Sequence, residues 1–260
     1  MLRPRIIPCL LIHRGGLVKT QAFKSPIYLG DPINAVRIFN EKEADELIVF
    51  DIDATINSAE PDLNLISKLA AECRMPLCYG GGVTSVEQVA RIVDMGVEKV
   101  AVSAAAIANP GLLTEMASAV GRQSVVAVLD VRKCAAYPTE FEVCTHNAKI
   151  GYKRNIFSTV RQLQDAGAGE IVINSVDNDG KMLGYDLNFA RKIKQELSVP
   201  ITFLGGAGSL EHIKELFGFV GLVGAAAGSL FVFKGKYRAV LINYPTHAQK
   251  IELCRSSLIT

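Results

Sequence analysis

Aspartates and glycine turns recur along this chain at matched spacings, and these residue types can move protons and hold anions. Asp51 closes one apolar run and is followed 29 residues later by Gly80-Gly81-Gly82; Asp177 lies just past another and is followed 28 residues later by Gly205-Gly206-Ala207-Gly208. From Gly80 to Ser103 and from Gly205 to Gly228 the distance is 23 residues in both copies. Asp51 and Asp130 at the ends of apolar runs, with Asp177 close behind, are candidates for proton transfer. That work needs a carboxylate within hydrogen-bond reach of the reacting atom, its pKa adjusted by burial and neighbours. Each of them could equally cap the loop that follows. Glycines let the backbone approach an oxyanion, and a helix that starts next offers it free N–H groups. Gly81 and Gly82 with Ser103 form one such cradle, and Gly205 and Gly206 with Gly228 and Ser229 form the other. Lys19, in a long loop, is placed either to clamp an anion from above or simply to face solvent.

The elements that must position these groups are short, continuously apolar runs at 6–11, 47–51, 77–80, 100–103, 125–130, 171–174, 201–204 and 221–225. Unbroken apolar runs suit strands buried on both faces. Amphipathic helical patterns lie between them, at 35–43, 62–73, 86–95, 110–120, 156–166, 187–197 and 210–217. Repeated strand–helix alternation argues for parallel strands joined by right-handed crossovers. An open doubly wound sheet would also satisfy the alternation, but it does not require two matching halves. The expected architecture is therefore α/β: one (β/α)8 TIM barrel domain over residues 1–260, built from two repeated (β/α)4 halves. Segments 12–31 and 132–154 are expected as long loops after the first and fifth strands, at the face where such barrels keep their active sites. Ser229, beginning a short helix in the eighth unit, falls where barrels bind phosphate.

With 28 basic and 26 acidic residues there is no electrostatic case for nucleic acid or an anionic membrane as the main partner. Six cysteines without a CxxC pair argue against a zinc site or a disulfide framework and for reduced thiols. No metal or cofactor is expected. With no signal-like h-region and no apolar stretch of spanning length, a cytoplasmic protein is expected.

A family resemblance covers nearly the whole chain. It rests on Arg5-Ile6-Ile7-Pro8-Cys9-Leu10, Val18-Lys19, Gly30-Asp31-Pro32, Asp45-Glu46-Leu47, Gly80-Gly81-Gly82, Gly167-Ala168-Gly169-Glu170, Asp177-Asn178-Asp179-Gly180, Gly184-Tyr185-Asp186 and Gly205-Gly206-Ala207-Gly208. In these the chain resembles the cyclase subunit of imidazole glycerol phosphate synthase, a histidine-biosynthesis barrel that takes ammonia from a glutaminase partner. The resemblance implies a HisH-like glutaminase docked at the N-terminal barrel face, and an ammonia gate there of Arg5, Glu46, Lys99 and Glu170. Each of the four lies at or just before the start of an expected strand, so two acids and two bases can pair on the barrel floor.

Departures from the family pattern carry equal weight. The family's cyclisation uses two aspartates at equivalent positions in the two halves; here the second is Asp130 and the first is replaced by Leu11. Losing one member of such a pair costs on the order of 10²–10⁴ in rate. Ser103-Ala104 stands where the family carries Asn-Thr, which implies a weaker hold on one of two phosphates. The segments around Pro8-Cys9-Leu10-Leu11, 33–43 and 229–245 resemble a divergent branch found with bacterial surface-polysaccharide pathways. That branch implies a glutaminase and an ATP-dependent amidotransferase partner that together convert an N-acetyl sugar to an acetamidino sugar. The expected roles are then Asp130 for catalysis, and Lys19, Asp51, Gly81, Gly82, Ser103, Asp177, Gly205, Gly206, Gly228 and Ser229 for a phosphate-bearing ligand. A genuine imidazole glycerol phosphate synthase cyclase that tolerates Leu11, and a non-catalytic channel scaffold, are the alternatives.

Overall fold

Eight parallel strands close on themselves. In the computed structural model, which describes residues 3–134 and 140–255, they are β1 (Arg5–His13), β2 (Leu47–Asp51), β3 (Leu77–Gly80), β4 (Lys99–Val102), β5 (Val125–Lys133), β6 (Glu170–Ser175), β7 (Ile201–Leu204) and β8 (Gly224–Ala227). Each pairs with its sequence neighbour, β5 meets β6 through Asp130↔Asn174, and β8 returns to β1 through Arg5↔Gly224. The (β/α)8 barrel expected from the apolar runs is present.

Strand periodicity divides the core in two. Alternate residues point to opposite faces, so Ile7, Cys9 and Leu11 of β1 join Ile48, Cys78, Ala101, Val126, Val128 and Val172 in one cluster inside the barrel. Their neighbours Ile6, Leu10 and Ile12 join Leu47, Val49, Tyr79 and Val100 in a larger cluster beneath the helices. The inner set mixes branched aliphatics with the short side chains of Cys9, Cys78, Ala101 and Ala226.

The helices begin on side-chain caps. Asp31, Asp62, Ser85, Asn155, Asp186 and Ser209 each accept a backbone N–H of the first helical turn, a contact worth ~1 kcal/mol apiece. Ser85 and Gln88 bond reciprocally, as a capping box does. These caps fix the βα loops at the C-terminal rim.

Several boundaries differ from the sequence reading. Pro32 at the first helical position, capped by Asp31, starts the first helix at Pro32–Glu41, earlier than its apolar stripe suggests. The helix before β8 runs Leu210–Val220 and ends at Gly221 with φ 86°, so β8 starts three residues later than expected. The two expected long loops are largely β structure. Segment 12–31 folds as a hairpin of Gly16–Gln21 and Lys24–Gly30, turning at Ala22 and Phe23 with φ 49° and 60°. Its turn lacks the Asn-Gly type of signal that usually announces a hairpin. After the fifth strand, β5 continues past the rim and pairs antiparallel with Phe141–Thr145, which pairs in turn with Ile150–Tyr152. Among the described residues no helix is long and apolar enough to cross a membrane.

Candidate functional site

The C-terminal mouth of the barrel holds a cavity of about 560 Å³. Asp130, on β5, lines it, and its carboxylate accepts a hydrogen bond from Asn174 Nδ2 at 2.8 Å. Crowding by protein pushes the Asp130 pKa up to about 7; the Asn174 bond pulls against this, and the charge of Asp179 adds to it. An acid tuned to that range can both give and take a proton near neutrality.

Asp51 also lines the cavity. One of its oxygens accepts the N–H groups of Asp53 and Ala54, at 2.8 and 3.2 Å, so it caps its own loop. Burial raises its pKa, and those two bonds partly offset the rise. Gly81 and Gly82, at φ 134° and 71°, let the third βα turn close on that loop; a Cβ on them would sit 2.6 Å from the Asp51 carbonyl and 2.5 Å from that of Ala59. Ser103 and Ala104 complete this side of the wall.

Lys19 is not a solvated loop lysine. It lies on the first hairpin strand, 5% exposed, with Nζ 3.5 Å from Asp179. Gly228 faces its ammonium so closely that a Cβ there would lie 2.3 Å from Nζ. Ser229 Oγ, buried beside it, has no hydrogen-bond partner in the structure.

The structure separates other residues that the sequence grouped together. Asp177 accepts the Lys133 N–H at 2.6 Å and lines a second cavity of about 310 Å³, together with Gly205. The carboxylate of that motif in the main cavity is Asp179, which accepts from Thr20 Oγ1 at 2.6 Å and the Phe23 N–H at 3.2 Å. Gly206 accepts the Gly184 N–H at 2.8 Å, and Gly206, Gly228 and Ser229 line neither cavity. The main cavity therefore draws most of its wall from the first half of the chain. Sequence reasoning missed Asn174, Asp179, His146 and Asn147. Asp179 had a signal, as the second aspartate of Asp177-Asn178-Asp179; the other three have none apart from the fold. Leu11 lines the same cavity with Phe50, Ile52 and Val128, and the four form an apolar patch there.

At the opposite end, the barrel floor carries a closed ring of charge. Arg5 bonds both Glu46 and Glu170, the latter at 2.6 Å; Lys99 bonds both acids at 2.8 Å; Thr202 Oγ1 donates to Glu170 at 2.6 Å. Burial alone would lower the Arg5 pKa, but the charges and bonds of Glu170 and then Glu46 hold it above its usual value. The same opposition leaves Lys99 raised, and holds Glu170 well below the ordinary carboxylate range despite its burial. Among the described residues no three His, Cys, Asp or Glu side chains converge as metal ligands would.

A charged ring at one end of the bore and a buried acid at the other are the features against which relatives can be compared. Residues 5–238 match the histidine biosynthesis protein family. The chain belongs to that family. A relative in Leptospira borgpetersenii, provisionally named imidazole glycerol phosphate synthase subunit HisF, is 53% identical over 250 residues, covering 96% of this chain and 98% of its own length. One from Vibrio vulnificus, provisionally named imidazole glycerol phosphate synthase subunit hisF3, is 54% identical over 250 residues, 96% of both chains. The imidazole glycerol phosphate synthase subunit HisF of Streptococcus sanguinis is 37% identical over 231 residues, 89% of this chain and 91% of its own length. The provisionally named proteins thus stand nearer to this chain than that subunit does, in line with a divergent HisF-like branch.

Proposed function

We propose that this barrel is the ammonia-accepting synthase subunit of a glutamine amidotransferase complex, acting in the cytoplasm as one barrel domain and amidating an N-acetyl sugar for surface-glycan synthesis. The observation that carries the reading is the pairing of Asp130 at the mouth with the Arg5–Glu46–Lys99–Glu170 ring at the floor, at opposite ends of one bore. Ammonia released by a HisH-like glutaminase at the floor is uncharged and small. As a neutral dipole it can exchange hydrogen bonds with the ring as it passes, and it then runs by the short side chains of Cys78, Ala101 and Ala226 inside.

At the mouth, ammonia attacks the acetamide carbon of a sugar whose amide oxygen an ATP-dependent partner has activated. The C–N bond forms, the activated oxygen leaves, and Asp130 accepts the proton released by nitrogen. A carboxylate with a pKa near 7 is suited to that exchange. Lys19 above Gly228 and Ser229 is suited to hold a phosphate of the same ligand, and the patch of Leu11, Phe50 and Ile52 suits its methyl group.

The test is an assay of the purified complex with ammonium chloride, ATP and a nucleotide-linked N-acetylhexosamine, read by mass spectrometry for the acetamidino product. A second reading, the histidine-pathway cyclase, has the 37% identical Streptococcus sanguinis subunit in its favour. Robust growth of a histidine auxotroph carrying this chain would establish it in place of the first.

A further inference from the structure

Ammonia addition to an amide activated on oxygen needs a base to take a proton from nitrogen, and the oxygen, leaving with the phosphoryl or nucleotidyl group that activates it, departs faster beside an acid. The mouth offers Asp130 for one of them, and the position across from it is the hydrocarbon of Leu11. A titratable group outside the barrel strands reaches that side. The hairpin built on β5 pairs Asp130 with Cys144 and Thr145 with Ile150, and its four-residue turn carries His146 and Asn147 into the cavity wall. Asn147 Nδ2 donates to the Ile52 carbonyl at 2.9 Å, and the Ile52 N–H donates to Ile12, the neighbour of Leu11, at 3.0 Å. The turn is therefore pinned over the side of the mouth formed by the ends of β1 and β2, where Leu11 stands and Asp51 caps its own loop.

His146 is half-buried there and its ring is held. Nδ1 lies 2.9 Å from the hydroxyl of Thr145, a residue only 1% exposed. A hydroxyl can donate to that nitrogen or accept from it. Nε2 can therefore carry the proton or the lone pair, as an acid/base group requires. The turn is costly to build, since His146, Asn147 and Ala148 all have left-handed backbones at φ 55°, 54° and 60°. Such strain persists where the surroundings enforce it; the Asn147 anchor and the bond from the Lys149 N–H to the His146 carbonyl, at 3.2 Å, do so here.

We infer that His146 is the second acid/base residue of this site: as the C–N bond forms and the C–O bond breaks, it assists as a general acid the departure of the oxygen with its phosphoryl or nucleotidyl group, while Asp130 takes the proton from nitrogen. The inference rests on the cavity being the site of amidation. The charged and titratable groups lining the cavity with His146 are Lys19, Asp51, Glu60, Asp130 and Asp179, besides the Cys9 thiol, which burial pushes up to about 12.

Two measurements test it. In the whole complex, supplied with ammonium chloride, ATP and a nucleotide-linked N-acetylhexosamine, His146→Ala is expected to lower kcat about 10²-fold with KM little changed, and added imidazole to restore part of the loss. The His146→Gln variant is expected to stay low and to lose one limb of the pH profile. Unchanged kcat, or no rescue by imidazole, overturns the inference; Asp130→Asn stays inactive in that case if the cavity reading is right. Separately, the nuclear magnetic resonance signals of the His146 ring in the barrel are expected to move in Asp130→Asn, because both side chains line one cavity. Unmoved signals overturn the proposal without reference to any substrate. If the wild-type complex does not turn the sugar over, the sugar reading fails, and the ring signals then decide whether His146 and Asp130 share a site.

Discussion

Replacing Glu170 with glutamine tests the floor ring most directly. Glu170 is 4% exposed and receives Arg5, Lys99 and Thr202, so Glu170→Gln leaves two cations facing the single charge of Glu46. Breaking a buried pair on one side typically costs ~3–5 kcal/mol, because the remaining charge is desolvated without compensation. The expected loss in urea unfolding near neutral pH is of that size, with the slope unchanged. The sign with pH follows from the depressed carboxyl of Glu170. Its stabilisation is fully present above the unfolded-state pKa of about 4.3 and is lost as pH falls below it toward the folded value. Wild type and Glu170→Gln should therefore converge in stability on acidification, with the wild type falling toward the variant. A cycle with Arg5→Met should return a coupling energy of at least ~2 kcal/mol. Additive effects, or a loss under ~1 kcal/mol, would refute the view of the ring as one coupled unit.

Asp130→Asn is expected to lower turnover by ~10²–10⁴. It should also stabilise the fold at alkaline pH by up to ~4 kcal/mol, because a folded carboxyl raised to about 7 costs stability as pH climbs from the unfolded value to the folded one; comparing melts at acid and alkaline pH checks this, with the gain absent at acid pH. Gly228→Ala is expected to push the Lys19 ammonium aside with little change in melting temperature, and to weaken binding of inorganic phosphate in calorimetry. Gly82→Ala places a Cβ 2.5 Å from the Ala59 carbonyl at a left-handed φ, and should cost ~1–3 kcal/mol in denaturant unfolding. Asn174→Leu removes the bond that restrains the Asp130 pKa, and the acidic limb of the activity profile should move to higher pH.

The barrel was legible because apolar runs follow a short-range rule, and the charged floor because a family resemblance singled out four charged residues at strand starts. Residues 47–51 and 171–174 are apolar without a break, and Arg5, Glu46, Lys99 and Glu170 each sit where a strand begins. The mouth was less legible, because its walls are assembled from rim segments that obey no single period. Asp177 and Asp179 differ by two positions, yet one bonds the Lys133 amide and the other faces Lys19 and Thr20. Only the path of the loop separates them. Asn174 acquires its role by pairing across from Asp130 on the neighbouring strand, a relation visible only once the barrel closes. His146 reaches the cavity because β5 outruns the rim and folds back, which no apolar pattern announces.

Leu11 keeps a job even where it carries no proton. It pairs with Phe50 on one side and Val18 on the other, and belongs to the cluster that fills the barrel. A strand end in a closed barrel is both wall and workbench, and the two duties are separable. A leucine at a strand end fills the wall, and the proton chemistry beside it can come from a segment that the rim folds over it. A duplicated barrel can therefore change what one half does without loss of foldedness. In this architecture inheritance of shape and inheritance of reaction are decoupled at the level of a single side chain.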